Sequence, residues 1–142
     1  MPKTVVRWVS EKQFVGIDER NQSIVLSGDD PAKGVSPSQV LLIGLSACSA
    51  YDVIDIMAKK RKPLTLLEVI ATGEQDSDPP WAYRRIHLTY RVDGDNLTEK
   101  ALLQAIQLSQ EKYCSVAATV RGVAKIETTL EIVSPKENQP NI

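Results

Sequence analysis

The chain is poor in the side chains from which metal and hydrolytic sites are usually built, with one histidine and two cysteines among 142 residues. Those cysteines, Cys48 and Cys114, lie 66 positions apart with no close Cys/His spacing, so a zinc site would need carboxylates to complete it and no metal or other cofactor is expected. Charge of one sign is scarce as well. The 17 Lys and Arg against 18 Asp and Glu lack the basic excess of a phosphate-binding surface, which argues against a nucleic-acid partner. Long apolar runs are missing too: the longest, Val40 to Ala50, is short for a membrane span, and "MPKTVVRWVSEKQ" has no apolar secretory core. A cytoplasmic protein with no membrane partner is the expectation. In that reducing compartment two distant cysteines are either buried thiols or a pair that cycles between thiol and disulfide.

What is present fits one domain over residues 1–142, with the polar, proline-containing stretch 134–142 expected to be a flexible tail. The segments "TVVRWV", "QFVGI" and "SIVLSG", with "DERNQ" between the last two, predict a short antiparallel meander. Ser36-Pro37 then carries a helix start, cap followed by proline, and opens a long helix to about Lys60. Apolar residues point in nearly every direction around that helix, from Val40 to Met57, and leave no broad face for water. A small domain can hardly wrap such a helix, so a second copy of the chain is expected to cover part of it. The basic run Lys59 to Lys62 reads as cations complementing the helix C-terminus.

Beyond Pro63, "LTLLEVIATGE" and "YRRIHLTYRV" read as strands, the second with Ile86, Leu88, Tyr90 and Val92 inward and His87 on the polar, solvated side. Asn96 with Glu99 suggests a capping box for a helix from Leu97 to about Lys112, with Leu102, Ala105, Ile106, Ser109 and Tyr113 as its inward stripe. "YCSVAATVRG" begins a short helix, and "VAKIETTLEIV" a last strand.

The two cysteines differ in setting. Cys114 lies at or just before a helix start, where unsatisfied amides favour a thiolate, which marks it as the more acidic thiol. Cys48 lies about three turns into its helix, beyond reach of the helix terminus. Gly44, Asp52 and Asp55 share its face, and ionised aspartates oppose a thiolate. Activation of Cys48 therefore requires a cation from elsewhere; Arg7, Lys12, Arg20 and Arg121 are the candidates. Gly44 removes a side chain beside the thiol, which either leaves room for a substrate or marks a close helix contact.

The Ser-Pro helix opening, the long apolar helix carrying "ACSA", and the later "EKYCSVAATVRG" ahead of a strand resemble the OsmC/Ohr superfamily of thiol-dependent hydroperoxide reductases, in a divergent branch. The resemblance runs from about Val5 to Val133 and includes the order of the elements. It implies an α+β, OsmC-like fold with antiparallel sheets packed around a long central helix in an intertwined homodimer. It also implies roles: Cys48 as the peroxidatic residue that attacks an organic hydroperoxide, Cys114 as the resolving residue that forms a disulfide with it, and an external dithiol as reductant. This order of roles runs against the electrostatic ranking above. The family pattern further carries a glutamate just after the helix-opening proline, which positions an arginine of the N-terminal hairpin. Here Ser38 and Gln39 follow Pro37, and Glu11 and Lys12 stand near the arginine position. Lys12 lacks the planar fork of a guanidinium. The alternative reading keeps the fold and drops the chemistry: a weakly catalytic or non-catalytic protein that binds a small hydrophobic ligand at the dimer interface. Hydrolase or transferase chemistry is disfavoured, because His87 is the only histidine and lies on a strand surface.

Overall fold

The computed structural model describes residues 1–133, so the expected tail at 134–142 lies outside the described residues. The chain forms two compact units, Met1–Leu41 and Leu42–Ile142, the second described as far as Val133.

The first unit is the predicted meander. Strands β1 (Val5–Ser10), β2 (Gln13–Ile17) and β3 (Ser23–Ser27) pair antiparallel in the order β1-β2-β3, with Trp8 opposite Phe14 and Val15 opposite Val25. The turn between β2 and β3 is built on Asp18, whose carboxylate accepts the amides of Arg20 at 2.8 Å and Gln22 at 2.9 Å. The Gln22 amide bond, aided by Arg20, holds this carboxyl below its usual range. Between β1 and β2 the chain reverses at Glu11, and the Trp8 indole donates to the Glu11 carbonyl at 2.8 Å.

Helix α1 (Pro37–Lys59) starts at the predicted proline, with the Ser36 carbonyl accepting the amides of Gln39 and Val40. By length and composition α1 could cross a membrane, which the short apolar run in the sequence did not suggest. Its packing is that of a core helix: Leu45, Ser49, Val53 and Met57, one turn apart, form a fully buried stripe. The other side carries Ile43, Tyr51 and Ile54 at 48%, 76% and 53% exposure. The helix ends in a turn in which Lys62 donates to the Met57 carbonyl and Arg61 to the Ala58 carbonyl, a Schellman arrangement. Arg61 occupies its left-handed position with φ of 57°, where glycine is usual. The basic run thus does more than face a dipole. Lys59 bonds Asp55 at 2.8 Å, which raises the lysine pKa, Lys60 bonds Gln104, and Lys62 bonds the Asn96 carbonyl.

In the second unit, β4 (Leu64–Gln75) and β5 (Tyr83–Gly94) are antiparallel, and β6 (Lys125–Ile132) joins β5 in parallel. This pairing departs from an all-antiparallel expectation because a helical crossover carries the chain back to the starting end of β5. Ile86, Leu88, Tyr90 and Val92 are all fully buried, as their alternation predicts.

The crossover consists of α2 (Glu99–Leu108), a π-helical turn (Ser109–Tyr113) and α3 (Ser115–Val120). Two expectations change here. The cap of α2 is Thr98, whose hydroxyl accepts the Ala101 amide at 3.2 Å, while Asn96 sits two residues earlier with φ of 57°, in the preceding turn. Tyr113 is 55% exposed instead of inward, because the wide turn adds a residue to the helix and brings Cys114 to the inward position. Leu102, Ala105, Ile106 and Ser109 face the core as predicted.

Replacing Arg61 by glycine relieves a left-handed backbone and is expected to raise stability by about 1 kcal/mol. Thermal denaturation of Arg61→Gly beside Arg61→Ala checks this, since the alanine variant removes the same side chain without the gain.

Candidate thiol site

Both cysteines belong to the second unit and both are free thiols. Cys48 is half-buried between the buried positions Leu45 and Ser49 of α1. Cys114 is 2% exposed and caps α3. Its Sγ accepts the Ala117 amide at 3.3 Å, and its own amide donates to the Ser109 carbonyl at 2.7 Å, closing the π turn. Cys48 packs against the buried core cluster that contains Cys114.

The position of Cys114 at a helix start is as predicted, but its acidity is the reverse. Burial pushes the Cys114 thiol up to about 11, and the hydrogen bond and charge of Cys48 push in the same direction. The amides of Ala117 and Val116 pull it down and are outweighed. A six-residue helix offers a weak dipole, whereas removing a thiolate from water is a large penalty.

The candidate cations are distributed as follows. Arg121 caps the C-terminal end of α3, and its guanidinium donates to the Glu111 carbonyl at 3.5 Å. Arg20 pairs with Asp18 at 3.2 Å. Arg7 and Lys12 belong to the first unit, Arg7 on β1 opposite Val15 and Lys12 in the β1–β2 turn. Ser38 and Gln39 occupy the exposed first turn of α1, which carries no acidic residue, and Glu11 pairs with Lys33 at 3.4 Å. Of the two aspartates on the Cys48 face, Asp55 is drawn to Lys59, and Asp52 accepts the Ser109 hydroxyl at 2.8 Å. His87 Nε2 lies 2.7 Å from Thr129 Oγ1 on the neighbouring strand β6. Gly44 is not a tight helix contact, since a Cβ placed there meets no atom within 4 Å. Among the described residues no cluster of three His, Cys, Asp or Glu side chains suits a metal ion.

Sequence reasoning missed a polar cluster beside the thiols. Tyr90 Oη lies 2.6 Å from Ser49 Oγ, and Ser109 Oγ lies 3.2 Å from Ser49 Oγ. Gln110 Nε2 donates to Tyr90 Oη at 3.1 Å and to Thr128 Oγ1 at 2.9 Å. Burial raises the Tyr90 phenol pKa, the Ser49 and Gln110 bonds offset part of this, and charge on Cys114 and Asp52 adds to it. The available signal was a serine inside each apolar stripe, Ser49 after Leu45 and Ser109 after Ile106.

A half-buried cysteine on a long core helix and a buried one on the crossover between parallel strands belong to a single α+β arrangement. The chain belongs to the OsmC-like protein family, whose model matches residues 28–129. It is 33% identical over 129 residues to Protein YhfA of Escherichia coli strain K12, covering 91% of this chain and 96% of that protein. A crystal structure of a hypothetical protein from Aquifex aeolicus VF5 shares the fold with a TM-score of 0.84 and 30% identity, over 94% of this chain and 96% of that one. The organic hydroperoxide resistance protein OhrB of Bacillus subtilis shares it with a TM-score of 0.63 and 14% identity, over 92% and 98% of the two chains.

A thiol held above its ordinary value stabilises the fold while protonated. That contribution is complete below the ordinary value of 9.0 and is lost as pH rises through about 11. Over this window the parent is expected to lose about 3 kcal/mol more unfolding free energy than Cys114→Ala. Denaturant titrations of both proteins across that pH range measure the difference.

Proposed function

We propose that the chain, working as a single OsmC-like domain in a cytoplasmic homodimer, is a thiol-dependent redox protein that reduces organic hydroperoxides. The Cys48 sulfur attacks the distal oxygen, the O–O bond breaks, the alcohol leaves with a proton, and Cys48 becomes a sulfenic acid. Cys114 then attacks Cys48 and water leaves. An external dithiol reduces the resulting disulfide to two thiols.

The observation that carries this reading is that Cys48 and Cys114, remote in sequence, belong to one packed core, where Cys48 is among the groups that raise the Cys114 thiol. Their unequal burial supports the division of labour: the half-buried Cys48 is open to a substrate, and the enclosed Cys114 stays protonated until a sulfenic acid forms beside it. Family membership and the shared fold with a hydroperoxide resistance protein agree with it. The family model also crosses the boundary between the two units, which supports a single functional domain. Homodimerisation is supported by the apolar residues that α1 leaves exposed, Ile43, Tyr51 and Ile54, together with Val6, Trp8 and Val9 of β1. Arg7 and Lys12, from this chain or its partner copy, remain the candidates to activate Cys48.

A second reading, a binding protein for a small hydrophobic ligand, is favoured by one observation. The first turn of α1 has no acid to anchor a guanidinium.

Treatment with less than one equivalent of cumene hydroperoxide is expected to link Cys48 to Cys114 within one chain, seen by mass spectrometry of the digest. Cys48→Ser should abolish peroxide consumption, and Cys114→Ser should leave a Cys48 sulfenic acid trappable by dimedone. A parent with both thiols unmodified under excess peroxide overturns the enzyme reading. Apolar ligand retained by Cys48→Ser in native mass spectrometry would then establish the second.

A further inference from the structure

Gly44 is the only glycine inside a described helix, where glycine is among the least favourable residues because it gives up backbone freedom and packs no side chain. Packing within the chain does not require it. Elsewhere crowding enforces glycine: a Cβ at Gly34, Gly73 or Gly94 would meet an atom at 2.7, 2.6 or 2.7 Å. Among the described residues no glycine has a positive φ, so backbone conformation does not call for one at 44 either. A Cβ at Gly44 meets none of the described atoms within 4 Å.

The neighbour of this open place is the Cys48 thiol. Gly44 and Cys48 are four residues apart on α1, so they are adjacent on one face. Helical side chains lean towards the N-terminus, so the side chain at 48 lies over the turn that holds Gly44. The two flanks of Cys48 differ. On one, the fully buried Leu45 and Ser49 face the core, and Asp52 is bonded to Ser109 at 2.8 Å. The helical period puts Gly44 on the other flank, followed by the exposed Ala47 and by Tyr51, which is 76% exposed. A molecule that reaches the half-buried sulfur from outside therefore passes over Gly44. That approach is apolar, with Ala47, Tyr51 and Ile43 beside it, which suits a hydrocarbon group and offers no charge to a small polar oxidant.

We propose that Gly44 is a specificity-determining residue: the notch left by its missing side chain seats the hydrocarbon group of an organic hydroperoxide while Cys48 attacks the distal oxygen. It favours substrates with a bulky, tertiary or aryl-substituted peroxy carbon over hydrogen peroxide. The proposal rests on the redox reading of Cys48.

The test compares two peroxides on each protein. Parent, Gly44→Ala and Gly44→Leu react with cumene hydroperoxide and with hydrogen peroxide, and loss of the Cys48 thiol is followed by N-ethylmaleimide quenching and mass spectrometry. The ratio of the two rate constants, cumene hydroperoxide over hydrogen peroxide, is expected to fall about tenfold in Gly44→Leu and by less in Gly44→Ala, with the oligomeric state of the parent retained. General damage to the thiol site would slow both peroxides and leave the ratio in place. Gly44→Ala puts a better helix former into open space, so it should melt no lower than the parent and carries the test if Gly44→Leu fails to fold. An unchanged ratio overturns the proposal. A fall seen only together with dissociation of the parent's oligomer assigns the space to a second copy and overturns it as well. A parent whose Cys48 reacts with neither peroxide overturns the redox reading instead. The notch is then tested with methyl methanethiosulfonate and the bulkier 4,4′-dithiodipyridine. Gly44→Leu should slow the bulkier reagent about tenfold relative to the smaller, and equal slowing of both rules the notch out.

Discussion

The hydrogen bond from the Cys114 amide to the Ser109 carbonyl, 2.7 Å long, decides which residues of the crossover face the core. In a continuous α-helix the stripe of Leu102, Ala105, Ile106 and Ser109 would pass on to Tyr113. The π turn adds one residue, so Tyr113 swings to solvent and Cys114 takes the buried place. The same turn keeps Ser109 bonded to Asp52 and close to Ser49 on α1. One backbone irregularity thus supplies the second sulfur and anchors the polar cluster next to it.

At Cys114 two physical effects compete, and their magnitudes decide the outcome. A helix start offers amide donors, and Cys114 accepts one from Ala117. Such terminal effects are worth up to about 1–2 kcal/mol, whereas burial can move a pKa by several units. Burial wins, and the thiol stays neutral. A protonated, enclosed sulfur is poorly suited to the first attack on an oxidant and well suited to wait for an electrophile formed next to it. The raised Cys114 thiol reverses the electrostatic ranking read from sequence and agrees with the proposed order of roles, in which Cys48 acts first.

Helix α1 shows how an apolar sequence can serve two surfaces. Its buried stripe, Leu45, Ser49, Val53 and Met57, packs in the core of the second unit, and Ser49 adds a hydrogen bond to Tyr90 of β5. The apolar residues opposite, Ile43, Tyr51 and Ile54, are left to solvent in a single chain. Leaving that much apolar surface in water is unfavourable, which gives the face a physical reason to be covered. The fold persists at 14% identity to OhrB while the first turn of α1 carries Ser38 and Gln39 here.

By itself the sequence determined what local rules control: the meander, the Asp18 turn, the Ser36-Pro37 opening of α1, the inward row Ile86, Leu88, Tyr90 and Val92, and Cys114 at a helix start. Alternation, turn chemistry and capping act over a few residues and can be read along the chain. It also marked Cys48 and Cys114 as the residue types able to do redox chemistry. Tertiary structure alone decided that β6 runs parallel to β5, that Thr98 and not Asn96 caps α2, and that the crossover widens before Cys114. It alone packed Cys48 against the core that holds Cys114, raised the thiol that local electrostatics would lower, and joined Ser49, Tyr90 and Ser109 to Asp52. The reason is that desolvation and long-range hydrogen bonds depend on which segments meet in space, and no local pattern encodes that meeting.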